Sequence, residues 1–358
     1  MTLALNPEQR EAVEHGEGPL LVLAGAGSGK TRVLTARVAR LVSDLGIPPG
    51  RILAVTFTNK AAGVMRDRIT EQLGEDPRGL WVGTFHSICA RMLRREGDRL
   101  PRGSRFTIYD EDDSRRALKR AMEEADLDPA RWAPNALRAR ISDAKNALVG
   151  PGQYTEQAFD LMSRAVAKVY PAYEKILTRS NAYDFDDLLV HTVRLLEDHT
   201  DIGERYAEKF VHVLVDEYQD TNHAQYRIVK RLGEGHRNVC VVGDDDQSIY
   251  GWRGADVRNI LDFERDFGGA AVVRLEENYR STPASLEVAN AVISNTRSRK
   301  EKSLRTARPA GEPVSVMRFA DERAEAAWVV GELERGSGGF RPDEAAILYR
   351  TNAQSRPF

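Results

Sequence analysis

The run Ala24-Gly-Ala-Gly-Ser-Gly-Lys-Thr31 has the residue types and the spacing to hold a polyphosphate. It follows an apolar stretch ending at Ala24. A helical pattern carrying Val33, Leu34, Ala36, Val38 and Leu41 comes after it. Gly25, Gly27 and Gly29 let backbone N–H groups turn inward without Cβ clashes. The helix start adds unpaired N–H groups and a partial positive charge. Lys30 is placed to reach the β- and γ-phosphates and Thr31 to hold Mg²⁺. The expected nucleotide-binding set is Gly25, Ala26, Gly27, Ser28, Gly29, Lys30, Thr31 and Arg32. The strict pattern begins with Gly where this chain has Ala24, which is tolerable at negative φ.

A second chemical feature is the apolar strand Val211–Val215 ending in Asp216 and Glu217. At the carboxyl end of a parallel strand, Asp216 can hold Mg²⁺ and Glu217 can polarise a water as general base. An acidic pair there also suits an ordinary helix N-cap. A third is Val239–Ala255, a strand followed by a polar, aromatic loop. Gln247 can donate to and accept from a γ-phosphate and its attacking water. Tyr250, Trp252 and Arg253 lie among glycines, and unpaired bases stack on such planes. Thr56-Phe57-Thr58-Asn59-Lys60 and Thr84-Phe85-His86-Ser87 each follow a strand and open a helix. Their hydroxyl and amide groups can track a phosphate backbone, although Phe57 and Phe85 also suit a core. His86 lacks metal-ligand neighbours. Arg280 can neutralise transition-state charge across a cleft, or form a surface ion pair.

These residues need a scaffold. The chain of 358 residues is 41% hydrophobic and 30% charged, which indicates a soluble globular protein of two or three domains. Its net charge of −2 gives no global bias toward nucleic acid, so any basic surface is local. Arginine outnumbers lysine, as phosphate contacts favour and as codon bias also produces. Cys89 and Cys240 sit in apolar runs and read as buried, reduced thiols of an intracellular protein. No signal peptide or membrane-length apolar run is present. The expected class is α/β, a parallel sheet with helices on both faces. Strand candidates in residues 1–110 are Leu20–Ala24, Ile52–Phe57, Leu80–Thr84 and Phe106–Tyr109. Residues 111–182 read as a helical insertion, with Pro171 expected to kink or break one helix and Gly150-Pro151-Gly152 expected as a loop. Alternation resumes at 183–276 through Val239–Val242 and Ala271–Leu275. A last βαβ pattern then combines Val314–Phe319, Asp321–Glu334 and Ala345–Tyr349.

Taken together, the motifs resemble those of superfamily 1A DNA helicases of the UvrD/Rep/PcrA group, and within it the UvrD type. Leu5–Arg10 resembles the Q motif, Ala24–Thr31 motif I, Thr56–Ala62 Ia, Gly83–Ser87 Ib and Tyr183–Leu189 Ic. Asp216–Asp220 resembles motif II, Gly243–Gly254 III, Glu277–Ser281 IV and Ile347–Arg356 IVa. The resemblance implies a P-loop NTPase with a RecA-like domain in two parts, 1–110 and 183–276, the helical insertion between them, and the start of a second RecA-like domain at 277–358. It implies ATP and Mg²⁺ as cofactors, with Thr31, Asp216 and Glu217 about the metal, Gln9 as adenine reader, Tyr279 as adenine-stacking residue and Arg280 as a γ-phosphate arginine. It assigns single-stranded DNA to Phe57, Thr58, Asn59, His86, Tyr250, Trp252, Arg253 and Asn352. The implied activity is ATP-driven 3′–5′ translocation and unwinding, in repair or replication restart, in the cytoplasm at the nucleoid. Single strands, strand junctions and repair proteins are the implied partners, with no membrane and with monomer or weak dimer left open. The family's motifs V and VI lie beyond Phe358, so the last domain is expected to be incomplete. The alternatives are a nucleotide- and strand-binding module without unwinding, or the motor of a recombination helicase–nuclease.

Overall fold

The computed structural model describes residues 4–296, 299–336, 339 and 341–358. Short apolar runs bounded by turns become strands because both of their faces are covered. They are β1 (Leu20–Ala24), β2 (Ile52–Thr56), β3 (Trp81–Thr84), β6 (His212–Val215), β7 (Val239–Gly243) and β8 (Ala271–Leu275), and they form one parallel sheet in the order β3-β2-β6-β7-β1-β8. β1 lies between β7 and the edge strand β8, with Leu20 in register with Cys240 of β7 and Ala271 of β8. Alternate residues serve opposite cores: Leu21, Leu23, Leu53 and Val55 on one face, Leu20, Val22, Ile52 and Ala54 on the other. Both cysteines are buried free thiols.

Helices α1 (Pro7–Glu14), α2 (Lys30–Ser43), α3 (Asn59–Leu73) and α4 (Phe85–Arg95) alternate with the first strands. Each start has a local cause. α1 has Asn6 and Gln9 as a capping box with Pro7 in its first turn, and Thr58 and Thr84 cap α3 and α4 through their hydroxyls. Arg37 of α2 is buried, and its guanidinium donates to Ala12, His15 and Gly16 carbonyls at the end of α1. That cation satisfies acceptors the helix end leaves open.

Phe106–Tyr109 does not join the main sheet. Only β4 (Thr107–Ile108) is extended there, and it pairs with β5 (Ala182–Tyr183) in a separate two-stranded ladder. Between them lie α5 (Glu111–Glu124), α6 (Pro134–Asn146), α7 (Pro151–Glu156) and α8 (Leu161–Arg179), whose Leu118, Met122, Ile141, Val166 and Val169 form a third core. Pro171 sits inside α8 without ending it. One lost backbone donor is tolerated where Val169, Tyr170 and Tyr173 hold the helix in that core. The break falls upstream, where Asp160 and Ser163 form a capping box. Pro151, expected in a loop, occupies the first turn of α7. The chain continues through α9 (Phe185–Asp198), α10 (Thr200–Lys209), α11 (His223–Gly233), α12 (Arg258–Leu261), α13 (Phe263–Asp266) and α14 (Pro283–Ile293).

Two compact units result, Met1–Pro309 and Ala310–Phe358. The second contains α15 (Glu322–Arg335), capped by Asp321 and ended by Gly336 at φ 59°, with short 3-10 turns at Pro342–Glu344 and Asn352–Ser355. The expected strands at 314–319 and 345–349 are not formed. Val316 is 93% and Leu348 94% exposed, so these segments have no apolar layer to rest on within their unit. Among the described residues, no helix is long and apolar enough to cross a membrane.

Candidate functional site

β1 turns into α2 through Gly27 at φ +70° and Gly29 at φ +93°, and Ala24 keeps an ordinary backbone. The three loop glycines each face a side chain. A Cβ on Gly25 would overlap Leu304, one on Gly27 would come within 2.8 Å of Asn278 and Arg280, and one on Gly29 within 2.7 Å of Gln9. Gln9 is buried and donates to the Ser28 carbonyl at 2.8 Å. Ser28 Oγ donates to the Gly25 carbonyl at 2.7 Å. Asn278 Nδ2 donates to the Ala26 carbonyl, and the Tyr279 N–H donates to that of Gly27 at 2.9 Å. The loop's carbonyls are therefore held by protein donors; the Gly25 and Ser28 N–H groups donate to the Leu275 and Gly25 carbonyls at 3.4 and 3.3 Å, and those of Ala26, Gly27 and Gly29 are left for an anion.

Across this loop stands the end of β6. Lys30 Nζ lies 3.1 Å from Glu217 Oε2, and Thr31 Oγ1 donates to Asp216 Oδ2 at 3.3 Å. The Lys30 ammonium is buried and has no acceptor in hydrogen-bonding geometry. Its donors are thus available to a phosphate. Asp216 is buried; burial, and then the Glu217 charge, push its carboxyl up to about 6, against the pull of Lys30. Asp220 is pushed up to about 6 by the same two causes. A hydroxyl beside a carboxylate, among three acids and one lysine, is an oxygen donor set with the surplus negative charge that Mg²⁺ requires. Glu217 itself has φ 51°, a left-handed conformation rare for a side-chain-bearing residue. Such strain persists where surrounding contacts over-determine it. Here Gln219 Nε2 donates to Glu217 Oε2 at 2.9 Å, and Gln219 Oε1 accepts from the Asp244 N–H at 3.0 Å. Gln247 donates its amide to Asp244.

The segment after β8 completes the rim. The Tyr279 hydroxyl accepts from Asn6 at 3.0 Å and donates to Glu277 at 2.9 Å, while its ring stays half exposed. Arg32 donates to the Ala4 carbonyl at 2.7 Å. The Arg280 N–H donates to Asn278 Oδ1 at 2.8 Å. Gln9, the phosphate loop, Asp216, Glu217, Tyr279 and Arg280 are therefore assembled about one cleft. Asn278, Gln219 and Asp220 belong to the same cleft and were not singled out as individual residues from sequence. All three lie inside short motifs already noted, so a scan for amides and acids within those motifs finds them.

The aromatic and polar residues lie after the carboxyl ends of β2, β3 and β7. Phe57 is partly buried and meets Phe85 edge-on at 5.9 Å. Thr58 caps α3 and Asn59 is exposed. His86 packs edge-on at 5.6 Å against Phe185, an exposed aromatic that sequence reasoning passed over. Burial lowers the His86 imidazole to about 4, so it is a neutral group at physiological pH. Trp252 is 71% exposed, with Tyr250 at 6.4 Å and the Arg253 guanidinium 4.7 Å from its ring. Stacking planes exposed beside a cation suit single-stranded bases. Asn352 is an exposed residue of the second unit.

Known proteins bear on this geometry. The family model described as UvrD/REP helicase N-terminal domain matches residues 5–268, and the one described as UvrD-like helicase C-terminal domain matches residues 273–358. Curated relatives include proteins named ATP-dependent DNA helicase PcrA. One from Staphylococcus aureus is 47% identical over 353 residues, covering 98% of this chain and 48% of that protein. One from Staphylococcus epidermidis is 48% identical over 353 residues, with the same coverage. The chain thus spans about half the length of the curated relatives it matches.

Proposed function

This chain belongs to the UvrD/REP helicase family, and from that premise we propose that it binds ATP–Mg²⁺ between β1 and β6 and single-stranded DNA along the ends of β2, β3 and β7. The observation that carries the proposal is the meeting of Lys30 with Glu217 and of Thr31 with Asp216 across one cleft. Lys30 holds the β- and γ-phosphates, and Thr31 with Asp216 holds Mg²⁺, which neutralises phosphate charge when bound. When Lys30 turns to phosphate it leaves Glu217, whose freed carboxylate takes a proton from the attacking water. Gln247 orients that water or senses the γ-phosphate, and Arg280 offsets developing charge. Gln9 and Tyr279 hold the adenine, with Arg32 at the rim. Phe57, Tyr250 and Trp252 stack on bases; Thr58, Asn59, His86, Arg253 and Asn352 contact the strand.

In the whole protein these parts serve an ATP-dependent 3′–5′ DNA helicase acting at strand junctions in repair or replication restart. A second reading is a nucleotide- and strand-binding module without unwinding. It is favoured by the absence of strands among the described residues of the second unit. The test is binding of a fluorescent ATP analogue with ATP turnover, comparing Lys30→Ala with Glu217→Gln. Lys30→Ala is expected to weaken affinity. Glu217→Gln is expected to spare affinity and lower turnover about 10²-fold or more, the scale of a general base. Equal, mild effects in both variants reject the assignment.

A further inference from the structure

Asp244, Asp245 and Asp246 bring carboxylate oxygens within 4.8 Å of one another, a spacing that could hold a metal ion. The space is filled by the protein's own cation. Lys302 Nζ lies 2.8 Å from Asp244 Oδ1, 2.7 Å from Asp245 Oδ1 and 2.7 Å from Asp246 Oδ2. Lys302 is buried. Arg299 adds a two-pronged pair with Asp246 at 3.0 and 2.8 Å, and the Lys300 N–H donates to Asp245 at 2.8 Å.

The two ends of this cluster lead to opposite walls of the nucleotide cleft. On one side, Asp244 holds the Gln247 amide, and its N–H reaches Glu217 through Gln219. On the other side, the backbone leaving Lys302 runs over the phosphate loop. The Ser303 N–H donates to Glu276 at 2.8 Å, and Asn290 clamps Leu304 through bonds of 2.9 and 3.3 Å. Leu304 covers Gly25. The Arg305 carbonyl accepts from Asn278, the residue that also holds the Ala26 carbonyl. Residues 299–305 thus form a strap from the Gln247 loop to the phosphate loop, closing the circuit that Lys30–Glu217 closes on the other side.

We propose that Lys302 is a positioning residue: through the strap it couples occupancy of the phosphate loop to the Asp244–Gln247 loop that leads into Tyr250–Arg253. The proposal rests on the ATP reading above. A purely structural ion cluster would stabilise the fold and transmit nothing. Breaking a buried ion cluster leaves uncompensated carboxylates, so charge and coupling must be separated in the test.

The experiment uses the 358-residue chain with a fluorescent, non-hydrolysable ATP analogue and Mg²⁺. It measures affinity together with hydrogen exchange of residues 244–248, with and without the analogue. In wild type the analogue is expected to slow exchange there about tenfold, by suppressing local opening. Lys302→Gln is expected to bind within about twofold of wild type and to lose that response. Lys302→Arg restores it, and Arg299→Ala retains it. The double variant Lys302→Gln/Asp245→Asn removes one carboxylate to regain fold stability, yet is expected to stay unresponsive because Asp244 is still not held. A response that persists in Lys302→Gln, or returns with stability in the double variant, overturns the proposal. So does loss of affinity in step with the response. A wild-type chain that binds no analogue overturns the ATP reading and this proposal with it. A wild type that binds without slowing at 244–248 overturns this proposal alone.

Discussion

Trp252 exposes most of its ring in a loop that also presents Tyr250 and Arg253. A ring left in water beside a cation gains little from folding, so its expected gain comes from a stacked base. Trp252→Ala is expected to cost about 1–3 kcal/mol of single-strand affinity. Affinity should fall as salt rises. Fluorescence anisotropy of a labelled oligonucleotide measures both effects, and an unchanged affinity in a folded variant removes Trp252 from the strand path. His191 gives a pH prediction at the same scale. Burial, helped by Arg102 and Arg194, lowers its imidazole from 6.5 to about 3, and it packs 4.6 Å from the Tyr183 ring. Above pH 6.5 both folded and unfolded chains are neutral there. As pH falls, the unfolded chain takes up a proton that the folded chain refuses, so stability is lost between 6.5 and about 3. His191→Phe lacks this loss. Between about pH 7.5 and about pH 5, wild type should lose about 2 kcal/mol relative to the variant in urea denaturation. A pH-independent gap rejects the assignment.

Elements are joined by buried charge as well as by apolar packing. Lys145 of α6 pairs with Glu174 of α8 at 2.6 Å, and with Asp184 and Asp187 at the start of α9 at 2.8 and 2.7 Å. Arg102 joins Asp187 at 2.9 Å. Both Asp184 and Asp187 also serve the capping box that starts α9. One ammonium therefore ties two helices of the third core to a helix of the sheet domain. Lys145→Met is expected to cost about 3–5 kcal/mol, because it leaves Glu174 and Asp187 to Arg102 and Asp184 to the Tyr173 hydroxyl. Denaturant unfolding checks this, and a cost below about 1 kcal/mol, the worth of a surface pair, refutes it. Pro171 belongs to the same scale. Its lost hydrogen bond argues for a break, yet α8 continues because three neighbouring residues are buried in the third core.

The whole molecule sets a limit on activity. The cleft proposed for ATP has the glycine loop, an acidic pair and Arg280, all within the first unit. The second unit, described by itself, has one α-helix and no strand among its described residues. At related phosphoryl-transfer sites an arginine finger is worth about 10³–10⁵ in rate, and the second unit, with no strand among its described residues, offers no sheet to hold one. The 358-residue chain is therefore expected to bind ATP–Mg²⁺ and single-stranded DNA while showing little DNA-stimulated turnover and no unwinding. A coupled ATPase assay with and without oligonucleotide, beside a strand-displacement assay, decides it. Turnover raised strongly by DNA would mean that the first unit and Arg280 suffice.

The sequence alone determined the pieces whose physics is local. The strand–glycine-loop–helix at 20–43, the acidic pair after β6 and the apolar strands of the sheet follow from burial on both faces and from φ requirements at single residues. Tertiary structure alone decided what faces those pieces. Phe106–Tyr109 is apolar enough for the main sheet, yet it pairs with β5 because chain geometry brings Ala182 there. The segments at 314–319 and 345–349 have strand composition without a covering layer, and remain unpaired. Lys302 lies in the polar run Arg299-Lys-Glu-Lys-Ser303, with no periodicity to mark it, and becomes a buried ion hub only because three aspartates meet it. Periodicity encodes which side of a segment avoids water; a partner distant in sequence is chosen by packing, which no local pattern carries.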